Sequence, residues 1–161
     1  MAMSIEPRRK DLISVGIISD THGRLIPEVA QAFEVVDLIM HAGDIGNSEV
    51  LEDLRAIAPV HAVRGNMDGG WAFGLPATQI VEIGQVLLYV LHNVDQLDLD
   101  PAAAGLSAVI YGHTHKPTIS WRDGVLFLNP GSAGPFSSSG TVALLHIKGT
   151  SLEPQLVKLQ P

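Results

Sequence analysis

A chain of 161 residues fits one folded unit and leaves little room for two. Apolar residues make up 46% and charged residues 17%, which excludes a disordered chain. A formal net charge of −7 argues against broad electrostatic binding to nucleic acid, and the absence of cysteine removes disulfides, thiolate nucleophiles and thiolate-bound zinc.

Residues 1–11 are polar, lack a signal-type apolar stretch, and read as a flexible tail before a single domain over 12–161. No apolar run reaches the ~20 residues that span a bilayer, so a cytoplasmic protein without membrane contact is expected. Ile13–Ser19 reads as a buried strand. Ile26, Val29, Ala30, Phe33 and Val36 fall at helical spacing, with Pro27 suited to a first turn. Asp37–Met40 is a second strand. Ser48–Ala56 is a helix with Ser48 as its N-cap, and Pro59–Val63 is a third strand. The β-α-β-α-β order calls for parallel pairing.

The second half is richer in strands. Ala77–Ile83 and Val86–Leu91 flank a Gly84-Gln85 turn. Ser107–Tyr111 is another buried strand. Thr118–Trp121 and Val125–Leu128 flank Asp123-Gly124, and Thr141–Ile147 and Leu152–Leu159 form a last pair. This half is expected to be mostly antiparallel, with Gly134–Gly140 as a flexible loop. The fold expected is α/β (α+β), two sheets face to face with helices outside.

Five apolar runs each stop at a loop bearing a metal-ligating residue type. These loops hold Asp20-Thr21-His22, Gly43-Asp44, Gly65-Asn66-Met67-Asp68, His92-Asn93 and Gly112-His113-Thr114-His115. Loops at the carboxyl ends of parallel strands converge on one crevice. Carboxylate and imidazole donors without thiolate suit Mn, Fe, Zn, Co or Ni. Asp44, preceded by a glycine that permits close backbone approach, is the best candidate to bridge two ions. Such a pair activates water and stabilises a phosphoryl oxygen.

In this order the five blocks resemble the calcineurin-like metallophosphoesterase superfamily. Together with Asn129-Pro130-Gly131-Ser132, they resemble its small YfcE-type phosphodiesterase branch, over roughly residues 13–148. The resemblance implies a four-layer β-sandwich of two mixed sheets flanked by helices. It implies two divalent metal ions, Mn before Ni, Fe, Co or Zn. Asp20, His22, Asp44 and His115 would bind the first ion, and Asp44, Asn66, His92 and His113 the second. Catalysis is then expected of Asp44, Asn66 and His113, and substrate contact of Asn66, Arg64 and Asn129. Asp68 is expected to orient a ligand by hydrogen bond. His41, beside Gly43-Asp44, is expected to pack next to the site.

Two positions depart from the family pattern. Larger relatives carry a general-acid-like histidine after the asparagine, where this chain has Met67. The metal-site histidine is often followed by Gly-His, where this chain has Asn93-Val94. Taken singly, Asp20 or Asp44 would pass for a helix cap, Asn66 for a turn residue, and His113 or His115 for a solvated loop residue. Five such coincidences in order favour the site. The function expected is hydrolysis of small organic or nucleotide phosphodiesters, by attack of a hydroxide bridging two metals. A homo-oligomer, dimer or higher, is expected. The alternative is a non-catalytic protein-interaction scaffold like the retromer subunit Vps29. All seven ligand positions, His115 included, are intact here, which weighs against it.

Overall fold

The structure is a computed structural model that describes residues 2–5, 11–135 and 140–159. In chain order these form β1 (Ala2–Ile5), β2 (Leu12–Ile18), α1 (Glu28–Ala32), β3 (Leu38–His41), α2 (Ser48–Arg55), β4 (Val60–Ala62), β5 (Thr78–Ile83), β6 (Val86–Leu91), β7 (Ala108–Ile110), β8 (Thr118–Arg122), β9 (Val125–Asn129), β10 (Thr141–Lys148) and β11 (Ser151–Lys158). One sheet has the order β1-β5-β6-β7-β9-β8 and the other β11-β10-β2-β3-β4.

The two sheets are mixed, as expected. Strands β2, β3 and β4 are parallel, with β10 and β11 added antiparallel. A core of Val15, Ile17, Met40, Leu88, Ile110, Leu126 and Leu145, among others, fills the space between the sheets. A second apolar layer sits between the β2-β3-β4 sheet and the helices, where Phe33, Leu51 and Leu54 meet Ile18 and Ile39. A third covers the outer face of the other sheet, where Leu97 and Leu106 pack on Tyr89, Val109 and Phe127. Among the described residues no helix is long and apolar enough to cross a membrane.

The structure corrects three local expectations. Residues 2–5 are not tail but β1, paired in parallel with β5 from Ala2↔Ile80 to Ile5↔Ile83. The first helix covers only Glu28–Ala32. Beyond it, β-branched Val35 and Val36 favour helix weakly, and Asp37 accepts the Ser14 N–H at 2.8 Å, drawing the chain back onto the sheet. The cap of α2 is Asn47, whose side chain accepts the Val50 N–H at 3.1 Å, not Ser48. Pairing in the second half is mostly antiparallel, as expected, at β5-β6, β8-β9 and β10-β11, while β6-β7 and β7-β9 are parallel. The 92–107 connection crosses the outer sheet face, as a parallel pair requires. Of the Gly134–Gly140 loop, residues 136–139 lie outside the described residues.

Candidate metal centre

The parallel strands set the position of the site. Asp20 and His22 follow β2, Asp44 follows β3, Asn66 follows β4, His92 follows β6, and His113 and His115 follow β7. The chain-end loops of both sheets meet at one end of the sandwich. Asp20 N–H donates to the Gly43 carbonyl at 3.0 Å within one sheet's loops, and Gly112 N–H donates to the His92 carbonyl at 3.0 Å within the other's. Among the bonds that tie the sheets together are, first, His113 N–H to Asp20 Oδ2 at 3.1 Å and, second, His92 Nδ1–H to the Ala42 carbonyl at 2.7 Å. The second bond leaves Nε2 of His92 as the lone-pair nitrogen facing the centre.

Asp20 is fully buried, and its Oδ2 accepts from Ser19 Oγ at 2.6 Å. Its Oδ1 is buried and has no hydrogen-bond partner among the described residues. Three imidazole nitrogens approach that oxygen: Nε2 of His115 at 3.3 Å, of His22 at 3.8 Å and of His92 at 3.9 Å. A buried carboxylate oxygen that accepts nothing costs free energy unless a cation completes it. Next to it, Asp44 Oδ2 lies 3.2 Å from His92 Nε2. His113 Nδ1 lies 3.3 Å from His92 Nε2 and 3.2 Å from Asn66 Oδ1. Among the described residues, two groups have ligand atoms close enough to hold an ion: Asp20-His22-His115 and Asp20-Asp44-His92. Asp20 is common to both, whereas the sequence pointed to Asp44 as the shared carboxylate. The donor set, oxygens and imidazole nitrogens alone, fits a hard or borderline divalent cation.

Backbone strain concentrates here. Among the described residues, six that are not glycine have positive φ, and five belong to the site: Asp20 (56°), His22 (50°), Asp44 (54°), His113 (72°) and His115 (64°). Left-handed backbone at such residues persists only where surroundings impose it, and it gathers at functional sites. The neighbouring glycines explain how the loops approach. A Cβ on Gly65 would stand 2.2 Å from Asp44 Oδ1, and one on Gly112 would stand 2.0 Å from Ser19 Oγ and 2.6 Å from Asp20 Oδ2.

Supporting residues hold these loops. Asp68 accepts from the N–H groups of Ile45, Gly46 and Gly65 at 2.9, 3.0 and 2.9 Å, joining the loops after β3 and β4. His41 is fully buried, with Nδ1 accepting the Gly43 N–H at 3.1 Å and Nε2 3.0 Å from Thr21 Oγ1. Ser132 Oγ donates to the Asp20 carbonyl at 3.0 Å. Asn129, expected to touch substrate, instead is fully buried and donates to the Gly112 carbonyl and Thr114 Oγ1 at 3.1 and 3.0 Å. These bonds spend both hydrogens of its amide, and its Oδ1 accepts the Gly131 N–H, so it has no N–H left to donate to a phosphate oxygen. Arg64 is exposed and donates to the Leu75 carbonyl. With Asn66, Thr78, Tyr89, His92 and Gln96 it lines a cavity of about 530 Å³ beside the site. Met67 contributes only its N–H, donated to Asp44 Oδ1 at 2.9 Å, while its side chain is exposed. Asn93 caps a short turn by accepting the Asp95 N–H at 3.0 Å. Ser19 was missed in the sequence. The signal was present, since it is the first polar residue at the end of an apolar strand and adjoins Asp20.

The charges respond to this packing. Burial opposes the charged form of His92, but the hydrogen bonds to Asp44 and the Ala42 carbonyl, with the charge on Asp20, outweigh it and raise its pKa. Burial likewise opposes the Asp44 carboxylate, yet His92 and the Met67 N–H hold its pKa below the ordinary value. Burial, with His92 nearby, pushes His41 down to about 3.

These features define a metal-dependent phosphoesterase. The chain belongs to the calcineurin-like phosphoesterase superfamily, whose domain model matches residues 13–150. It is 34% identical over 157 residues to a probable metallophosphoesterase of Methanothermobacter thermautotrophicus, covering 89% of this chain and 91% of that one. It is 31% identical over 154 residues to a phosphodiesterase of Methanocaldococcus jannaschii, covering 83% and 92%. It also shares its fold with Vps29 of Entamoeba histolytica, at 25% identity and a TM-score of 0.71, covering 92% of this chain and all of that one.

Proposed function

We propose that the protein hydrolyses small organic or nucleotide phosphodiesters at a pair of divalent metal ions, manganese first among them. The observation that carries this reading is Asp20 Oδ1, a buried oxygen with no hydrogen-bond partner among the described residues and faced by three imidazole Nε2 atoms. Asp20, His22 and His115 would hold one ion and Asp44, Asn66, His92 and His113 the other, with one of the two carboxylates, Asp20 or Asp44, shared between them. Two such ions supply water of lowered pKa and neutralise charge on the phosphoryl oxygens.

The chain's own groups do the rest. Asn66 and Arg64 line the cavity and bind the phosphoryl group there. His113, 3.2 Å from Asn66 Oδ1, orients that amide. Asp68 and His41 fix the loops. Met67 has no proton to give, so the departing alkoxide takes its proton from water, and esters with acidic leaving groups are favoured. A non-catalytic scaffold of the Vps29 kind draws support from the shared fold. Fold alone does not carry function, and the intact set of seven side chains supports catalysis.

The test is direct. Metal-stripped protein is assayed on an aryl phosphodiester with and without added manganese, beside Asp44→Asn. Hydrolysis should need the metal and fall at least about 100-fold in the variant. Metal-independent turnover, or an Asp44→Asn variant as fast as the parent, would end this reading.

A further inference from the structure

One sheet edge on this molecule lacks the usual defences against pairing. Of the four edge strands, β1 has four residues and β4 three, and β11 carries Pro154 in its middle. Short strands and proline are the usual defences of an open edge. Strand β8, Thr-Ile-Ser-Trp-Arg, has neither. It also exposes Ile119 at 38% and Trp121 at 52%. These two stand opposite Leu128 and Leu126, residues of the core between the sheets, so they overhang the open flank of the sandwich. Leu156 of β11, opposite Ala143 of the same core, is exposed at 38%. A Cβ on Gly131 would stand 2.0 Å from Thr141 Oγ1 and 2.8 Å from Pro117 Cγ, which puts the β8 and β10-β11 edges on one flank.

The hairpin fixes which backbone groups face outward. Arg122 pairs with Val125 across Asp123-Gly124, both at positive φ (52° and 79°), the two-residue turn favoured in hairpins. Residues flanking such a turn bond each other, so Arg122, Ser120 and Thr118 turn their backbone groups to β9. Ile119 and Trp121 turn theirs to the open edge.

We infer that β8 pairs antiparallel with β8 of a second copy about a twofold axis at Ser120, joining two six-stranded sheets into one. In that register Ile119 of each copy bonds Trp121 of the other through both backbone groups. Their side chains fall on one face, an aromatic–β-branched pair of the stabilising kind. Ser120 meets Ser120 at the closely spaced, non-hydrogen-bonded position. Lys116 falls opposite Gly124 and beside Asp123 of the second copy, so opposite charges meet at each end. Pro117, without an N–H, ends the pairing there. Isologous twofold contacts of this kind are the commonest in soluble oligomers. This inference is independent of the catalytic reading.

Sedimentation of the full chain across a wide micromolar range should show a species of twice 17.1 kDa. Trp121→Lys, with its fold checked by circular dichroism, should raise the dimer dissociation constant at least about tenfold. Since the chain has no cysteine, Ser120→Cys tests the register without disturbing the strand. Oxidation should link its copies much faster than those of Ser151→Cys, on β11. The inference is overturned if the parent stays monomeric throughout, if folded Trp121→Lys dimerises like the parent, or if Ser120→Cys links no faster than the control.

Discussion

His41 Nε2 lies 3.0 Å from Thr21 Oγ1, and that hydroxyl donates onward to the Ile45 carbonyl at 2.8 Å, all within the protein interior. With Nδ1 accepting the Gly43 N–H, the chain of bonds requires the neutral ring with its proton on Nε2. The imidazole therefore braces the loops that carry Asp20 and Asp44.

This brace makes the fold acid-sensitive. The folded pKa of His41 is about 3, below the ordinary 6.5. Between those values the unfolded chain binds a proton that the folded one refuses, so stability rises with pH. The contribution is complete above 6.5 and is lost as pH falls toward 3. His41→Gln keeps a donor for Thr21 and cannot ionise. Urea unfolding of metal-stripped protein from pH 7 to pH 4 should show the parent's slope reduced by about 1.4 kcal/mol per pH unit in the variant. At pH 7 the variant should be less stable by about 1–2 kcal/mol, since the Gly43 N–H loses its acceptor. Parallel pH profiles for the two proteins would remove His41 from this role.

Metal uptake should compete with protons at His92. Its folded pKa is raised, so the stabilising pair it makes with Asp44 is fully present below the unfolded value and fades as pH rises through the folded one. Asp44 has a lowered pKa, so its share is present above 3.8 and fades as pH falls through its folded value. Between about 3.8 and 6.5 both shares are present, and an ion must displace the proton to bind. Manganese affinity should therefore climb at least about tenfold per pH unit across the acidic range and level off above the raised His92 value. Calorimetric titration in buffers of different ionisation enthalpy would count the released protons. Affinity that does not change with pH would mean that His92 is not a ligand.

Much of this site was legible because polar residues interrupt apolar strands abruptly. Asp20, Asp44, His92 and His113 each follow a run whose only other role is burial, and parallel strands force such ends together. What escaped depended on partners distant in sequence. Nothing local in Ala2–Ile5 shows that it will pair with β5. The 92–107 connection has no helical period, so its crossover and the parallel β6-β7 pairing were hidden. Asn129 looked like a substrate contact because it begins a turn-rich motif. Its amide instead turns inward to the Gly112 carbonyl, a choice set by packing against the 112–115 loop.

Gly112 should tolerate no side chain. A methyl group there would overlap Asp20 Oδ2 and Ser19 Oγ, the hydroxyl that donates to that carboxylate oxygen. Gly112→Ala must shift the β7 loop or that carboxylate. The expected cost is about 1–3 kcal/mol in unfolding free energy, with manganese affinity lowered about 10–100-fold. Gly105→Ala is the control, since a Cβ there meets nothing within 4 Å although its φ of +76° carries backbone strain. It should lose stability and keep its metal affinity. Equal metal binding by both variants would show that crowding at Gly112 does not set the carboxylate.

Met67 occupies the position where larger relatives place a general-acid-like histidine. Its side chain is 68% exposed beside Asn66, and its N–H is spent on Asp44 Oδ1. Substituting the side chain leaves that backbone bond in place, so Met67→His should fold as the parent does. In the parent, the rate on a series of aryl phosphodiesters should fall steeply as leaving-group pKa rises, because no positioned proton meets the departing oxygen. In Met67→His the slope should flatten, and esters of the least acidic alcohols should gain most, up to about 10²-fold, the lower end of what general acid catalysis supplies. The gain should vanish above the histidine's own pKa, where the ring carries no transferable proton. A parent whose rate ignores leaving-group pKa while chemistry is limiting would mean that another group already protonates the leaving oxygen. The exposed Met67 would then be no catalytic handicap.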